Sequence, residues 1–233
     1  LMFIIVSTLV LLLKHRQRKI KETKLLKKLM VMRMEIGRGR ITPHFIGNSL
    51  NIAMNDQMAG KPIDLTPLVK LLRMSTETAD TLFVSLDTEL QFIDYYVTVM
   101  SSSLGSNFKY IKDIENGIDT AQIMLPSMTL LTFAENAVKH GLSKLPDDVE
   151  KTLKINIRRH DKGVRIEVID NGHCNKDAQF SNTNTGLKVI RQTLMLLNEN
   201  YKEKMTFGVG NIESGHGFMS WLYIPDNFTF TNY

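Results

Sequence analysis

The sequence predicts an α+β chain: a helical hairpin or bundle, then helices laid on one face of a mixed sheet. Three observations predict it. Apolar residues recur at helical spacing up to Leu104. The period then changes to two, most clearly in Leu153, Ile155 and Ile157 and again in Val164, Ile166 and Val168. The order strand, helix, paired strands, helix, paired strands completes the second part.

With 233 residues and 43% hydrophobic composition, the chain can bury a core for one or two domains. Its single cysteine, Cys174, excludes an intrachain disulfide framework and a cysteine-based zinc site. The net charge of +5 is concentrated: Lys14 to Lys28 holds eight Lys/Arg and one acid, Glu22. Outside it the balance is close to neutral, with no basic patch interleaved with aromatics, so direct nucleic-acid binding is not expected.

Residues 1–13 are almost wholly apolar, and spanning a bilayer takes about 20. Basic residues come after the run rather than before it, which reads as the end of a transmembrane helix leaving into the cytoplasm. Residues 14–41 read as a basic juxtamembrane segment and a coiled-coil helix, with Leu25, Leu29, Met32 and Ile36 as its seam. Residues 42–105 read as a helical dimerisation domain. Thr42 can cap and Pro43 can take the first helical position. His44 then lies in a first turn beside a kink, with Asn48 one turn on. A histidine so placed has a ring nitrogen free to act as a nucleophile. Thr66-Pro67 repeats the cap-plus-proline start, and Asp87 is the expected cap of a third helix running to about Leu104.

Residues 106–225 form the predicted sheet domain, and 226–233 a tail left unassigned. Phe108 to Ile114 is a short strand. Pro126 is expected to enter a helix in which Met128, Leu131, Ala134 and Val138 make the apolar stripe. Asn136, Lys139 and His140 then share another face, and Gly141 ends the helix. The hairpin 153–168 runs into Asp170-Asn171-Gly172. Residues 173–185 are polar and long enough to serve as a lid. Gly186-Leu187 opens another helix, and Met205–Val209 and Phe218–Ile224 read as two last strands.

Three small motifs therefore stand in one domain. An amide oxygen on Asn136 suits a hard cation such as Mg²⁺, and a neighbouring cation suits phosphate. An aspartate at a strand end can accept from an exocyclic amine, and Gly172 would let a base approach the backbone. Thr185, Gly186 and Leu187 stand at a helix N-terminus, where backbone amides bind anions.

The Glu135-Asn136-Ala137-Val138-Lys139-His140-Gly141 run resembles the N box of the ATP-binding domain shared by sensor histidine kinases, gyrase B, Hsp90 and MutL. Asp170-Asn171-Gly172 resembles its adenine box and Thr185-Gly186-Leu187 its glycine box. Thr42-Pro43-His44-Phe45-Ile46-Gly47-Asn48 resembles the phosphoacceptor motif of the LytS-type sensor histidine kinases, and Val84-Ser85-Leu86 with the Glu89-bearing helix resembles their second helix. The resemblance covers roughly residues 30–225. It implies a Bergerat-type α/β sandwich behind a dimerising helical segment, with ATP and Mg²⁺ as cofactors. It also implies the roles. Asn136 holds the metal and Lys139 and His140 lie near the phosphates. Asp170 holds the adenine amine, while Gly172 and Gly186 give room. Glu135 polarises the imidazole of His44, which takes the phosphoryl group. The implied partners are a second copy of the chain, the cell membrane, and a response regulator, in this family often one with a LytTR-type DNA-binding domain.

The chain departs from the family pattern at Thr42 and Ile46-Gly47, at Cys174 where a second glycine is usual, at Thr185 and Val189, and at Ser101-Ser102-Ser103 where an arginine is usual. Two other readings stand beside the kinase: a dimeric signalling scaffold of the same fold with little or no catalysis, and an ATP-driven clamp.

Overall fold

The computed structural model describes residues 8–17, 43–58, 60, 64–78, 81–172, 185–199, 201–212 and 217–228. The expected coiled-coil seam at 25–36, the expected lid and the tail beyond Phe228 lie outside them. Residues 8–17 are helix α1, with Leu9, Leu11 and Leu12 exposed. No described helix is long and apolar enough to cross a membrane.

Three helices precede the main sheet: α2 (Pro43–Met58), α3 (Thr66–Glu77) and α4 (Leu86–Leu104). In α3, Leu68 and Leu71 are buried at the expected spacing. Its cap differs from the expectation. Thr66 is already helical, and the amide N–H of Thr66 donates to Asp64 Oδ1 at 2.8 Å. Asp64 therefore supplies the oxygen, from two residues upstream of the first helical residue. The start of α4 differs too. The strand β1 (Phe83–Ser85) runs directly into the helix, so the extended Ser85 becomes the cap, accepting from the Thr88 amide at 3.2 Å. Asp87 lies inside the first turn and accepts from Gln91 Nε2 at 2.8 Å.

β1 pairs antiparallel with β3 (Met124–Pro126), a ribbon too short to show alternation in sequence. Pro126 ends that strand rather than entering the next helix. Met128 lies in the left-handed region at φ 67°, and α5 begins at Thr129 and runs to Asn136.

The main sheet has five strands: β2 (Phe108–Ile114), β4 (Lys151–His160), β5 (Gly163–Asp170), β6 (Thr206–Asn211) and β7 (Phe218–Pro225). Their spatial order is β2-β4-β5-β7-β6, and only the β2–β4 pair is parallel. The fold is thus α+β with a mixed sheet, as the sequence predicts. Leu153, Ile155 and Ile157 on β4 and Val164, Ile166 and Val168 on β5 are buried on one face. Helices α4, α5 and α6 (Thr185–Asn198) contribute to the same buried cluster: Phe92 and Ile93, Leu130 and Phe133, Leu194 and Leu197. The opposite face is polar. There Arg165 lies 4.4 Å over the Trp221 ring and bonds Glu167, while Arg158 and Lys154 both pair with Asp113.

Candidate functional site

The alternation of β5 fixes the site's central group. Val164, Ile166 and Val168 point into the core, so the residue two further on, Asp170, must point inward as well. Its side chain is only 2% exposed. Glycines make room for it. A Cβ added to Gly141 would run into the Asp170 carboxylate, with Cγ at 2.8 Å. A Cβ on Gly172 would fall 2.5 Å from the Gly141 carbonyl carbon and 2.8 Å from Asp170 Oδ1. A Cβ on Gly217 would meet the Asp170 carbonyl oxygen. The carboxylate accepts one backbone hydrogen bond, from the Gly172 amide to Oδ1 at 2.9 Å. Burial outweighs that bond and pushes Asp170 up to about 6.

Asn171 serves the frame instead. Its Oδ1 accepts from the Thr152 amide at 2.7 Å, and its Nδ2 donates to the Glu150 carbonyl at 2.7 Å. Both bonds fix the start of β4 against the end of β5.

The second wall is α5 together with the two turns at its C-terminal end. The expected helix end at Gly141 is replaced by a π-helical turn over Ala137–Gly141, continued by a 3₁₀ turn over Leu142–Lys144. The wider turn carries Gly141 against Asp170, a contact that an abrupt helix end would not make. It also breaks the spacing that would put Asn136, Lys139 and His140 on one face, because that rule holds for the α-helical pitch. Glu135 and Asn136 are half-buried, while Lys139 and His140 are exposed. Burial raises the Glu135 carboxyl, and the Lys139 ammonium partly offsets it. His140 is lowered by burial and by Lys139 and Lys144, which favours its neutral form.

The third element is α6. Thr185 and Gly186 form its first turn, where backbone amides lack helical partners. Gly186 and Leu187 are half-buried, and Leu187 packs against the core.

These residues fit a purine nucleotide with its metal. A buried carboxylate approached closely by glycine backbone suits the exocyclic amine of a flat base. Mg²⁺ takes few protein ligands and fills its octahedron with phosphate oxygens and water. The half-buried Asn136 amide is a hard oxygen donor of the right kind.

A model of the histidine kinase family, described as "Histidine kinase", matches residues 32–108, the stretch that holds His44 and α4. The chain is 26% identical over 198 residues to the sensor histidine kinase YpdA of Escherichia coli, a match covering 82% of this chain and 34% of that one. It is 26% identical over 156 residues to the sensor protein LytS of Oceanobacillus iheyensis, covering 65% of this chain and 25% of LytS. In these stretches the chain is similar to LytS-type sensor histidine kinases. A third relative, YwpD of Bacillus subtilis, is 30% identical over 146 residues, covering 60% of this chain and 51% of that one. The chain therefore spans about a third of the length of YpdA and less than two thirds of each of the others.

Of the residues singled out in the sequence, the structure brings together Asp170, Gly172 and Gly141, the last residue of the turn that follows Asn136. His44 lies in the first turn of α2. Gly141, expected only as a helix stop, packs against the Asp170 carboxylate, and Gly217 packs against the Asp170 backbone carbonyl oxygen. Glu89 was also missed, although a signal existed. It falls on the apolar stripe of α4, three residues after Leu86 and four before Ile93, where a solvated acid does not belong.

The Asp170 environment predicts a pH dependence. An amine donor favours the ionised carboxylate, so binding lowers its pKa and affinity must fall as pH drops below about 6. At pH 5 the wild type is expected to bind ATP about tenfold more weakly than at pH 7.5. Normalising to Asp170→Asn, which cannot titrate there, removes the titration of ATP itself. A pH-independent ratio of the two affinities would contradict the assignment.

Proposed function

We propose that this chain autophosphorylates His44 from ATP and Mg²⁺ and passes the phosphoryl group to an aspartate of a response regulator. The observation that carries the reading is the buried Asp170 carboxylate with the backbone of Gly141 and Gly172 packed closely against it, Gly141 ending the turn that follows Asn136. The match of residues 32–108 to the histidine kinase family model, and the similarity to sensor histidine kinases, support His44 as the acceptor.

Each residue then has a task. Asp170 accepts from the adenine amine, and Gly172 and Gly141 let the base approach. Asn136 would hold Mg²⁺, and the exposed Lys139 and His140 would serve the phosphates, as would the amides of Thr185, Gly186 and Leu187 at the start of α6. When bound, the metal would supply charge stabilisation for the phosphoryl group; placement would do most of the remaining work.

A ring nitrogen of His44 forms a bond to the γ-phosphorus as the bond to the β,γ-bridging oxygen breaks and ADP departs. Glu135, raised by burial, can take the imidazole proton. The N–P bond then breaks as a regulator aspartate oxygen bonds the phosphorus, leaving neutral histidine. We assign the chain to the cell membrane, to a homodimer, and to a response regulator, LytTR-type outputs included.

One observation favours the scaffold reading: the last turn of α4 carries no basic residue, and the Ser101 and Ser103 hydroxyls bond back to their own helix. Nucleotide titrations with and without Mg²⁺ separate the two. The kinase reading expects Mg²⁺ to tighten ATP binding, and Asn136→Ala to lose at least about tenfold of that gain, the worth of one good charge-assisted contact. An unchanged gain in Asn136→Ala would remove its metal role.

A further inference from the structure

We propose that Glu89 is a positioning residue through which α4 sets the metal-and-phosphate end of the nucleotide site. The inference rests on the ATP-site reading and adds to it a mechanical link from the phosphoacceptor helices. Glu89 is fully buried. Its Oε1 accepts from the Met128 amide, and its Oε2 accepts from the Leu130 amide at 2.8 Å and the Leu131 amide at 3.4 Å. These are the backbone donors that a helix start leaves without intrahelical partners. Helix α5 makes no side-chain cap of its own, since Met128 stands in the cap position in a left-handed conformation. A carboxylate thirty-nine residues upstream of Met128 does that work. It is also the right charge for the positive end of the helix dipole.

The grip extends along α5. Tyr96, two turns on from Glu89 in α4, is buried, and the Glu135 charge adds to burial in raising its phenol. Helix α4 therefore meets the start of α5 through Glu89, and its Tyr96 is buried two turns further on. On its other sides α4 packs against α3 and α2, the helix that carries His44.

The two ends of the nucleotide site consequently hang on different elements. Asp170 belongs to β5 and is fixed by the sheet. Asn136 and Glu135 belong to α5, whose start α4 holds through Glu89 and whose π-helical continuation meets β5 at Gly141. A displacement of α4 pulls on the start of α5 and reaches Asn136 along that helix, while Asp170 stays on its strand. An upstream signal that shifts the bundle can thereby reach Asn136 without first passing through the sheet.

The test is ATP titration of the whole chain, in Mg²⁺ and in EDTA, for wild type and Glu89→Gln. The amide keeps the side chain's shape but offers a single acceptor oxygen to the three donors. The expected result is an EDTA affinity within about twofold of wild type and a Mg²⁺-dependent gain reduced at least fivefold. Hydrogen exchange at the Leu130 and Leu131 amides should quicken by tenfold or more. A retained gain overturns the inference, as does a parallel loss of both affinities, which marks a purely structural role. If Glu89→Gln does not fold, wild-type exchange decides. Adding Mg²⁺ to the complex with a non-hydrolysable ATP analogue should slow exchange at those two amides, and no slowing overturns the inference. Wild type that binds no ATP would bring down the ATP-site reading itself. Wild type that binds normally, beside a Glu89→Gln chain with full gain, brings down this link alone.

Discussion

Asp170→Asn is expected to make the chain more stable and nearly unable to hold its nucleotide. The two effects share one cause. Raising a carboxyl from 3.8 to about 6 means that the folded state disfavours the charge by up to about 3 kcal/mol at neutral pH. Asparagine removes that cost. The penalty has a definite pH window. It is absent below 3.8, grows between there and about 6, and is fully present above. The stabilisation by Asp170→Asn should thus be largest near pH 8 and vanish near pH 4, read as a shift of several degrees in Tm. Binding moves the other way. A hydrogen bond from an amine to a buried charged acceptor is worth about 1.5–3 kcal/mol, so ATP affinity should fall about tenfold to a hundredfold. Lower stability, or affinity unchanged within a factor of two, would contradict the assignment of Asp170 to the adenine amine.

Gly172→Ala is expected to lose both stability and binding. Its backbone lies outside the left-handed region, so alanine is not barred by φ. Space bars it. The new methyl would meet the Gly141 backbone and the Asp170 carboxylate, neither of which can swing aside like the end of a flexible side chain. Overpacking of this kind costs about 1–3 kcal/mol. The relief available is to part the π turn from β5, which opens the very space the base needs. Urea unfolding should show the loss of stability, and titration should show ATP affinity falling at least tenfold. Wild-type binding in Gly172→Ala would mean that the base does not sit there.

Most of the sheet was legible because β4 and β5 alternate cleanly, and that same alternation, carried two residues past Val168, places Asp170 inside the core. The helix start at Thr66 was nearly legible; a capping oxygen was expected one or two residues late because Asp64 and Thr66 are both good caps. Position 85 was misjudged since β1 has three residues, too few to announce that a strand runs straight into α4. The π turn had no signal at all. Its cause is tertiary: Gly141 must reach Asp170, which lies twenty-nine residues on along the chain. Glu89 was legible only as an anomaly on an apolar stripe, and its donors, thirty-nine to forty-two residues away, could not be read from local pattern. The parallel pairing of β2 with β4 likewise depends on long-range packing and not on either strand's own sequence.

The central claim is that this nucleotide site serves His44. Incubating the chain with γ-labelled ATP and Mg²⁺ tests it most directly. The expected result is acid-labile, base-stable label on wild type, absent from His44→Ala although that variant still binds ATP. Wild type that binds ATP and takes no label, or His44→Ala that labels as well as wild type, would contradict it.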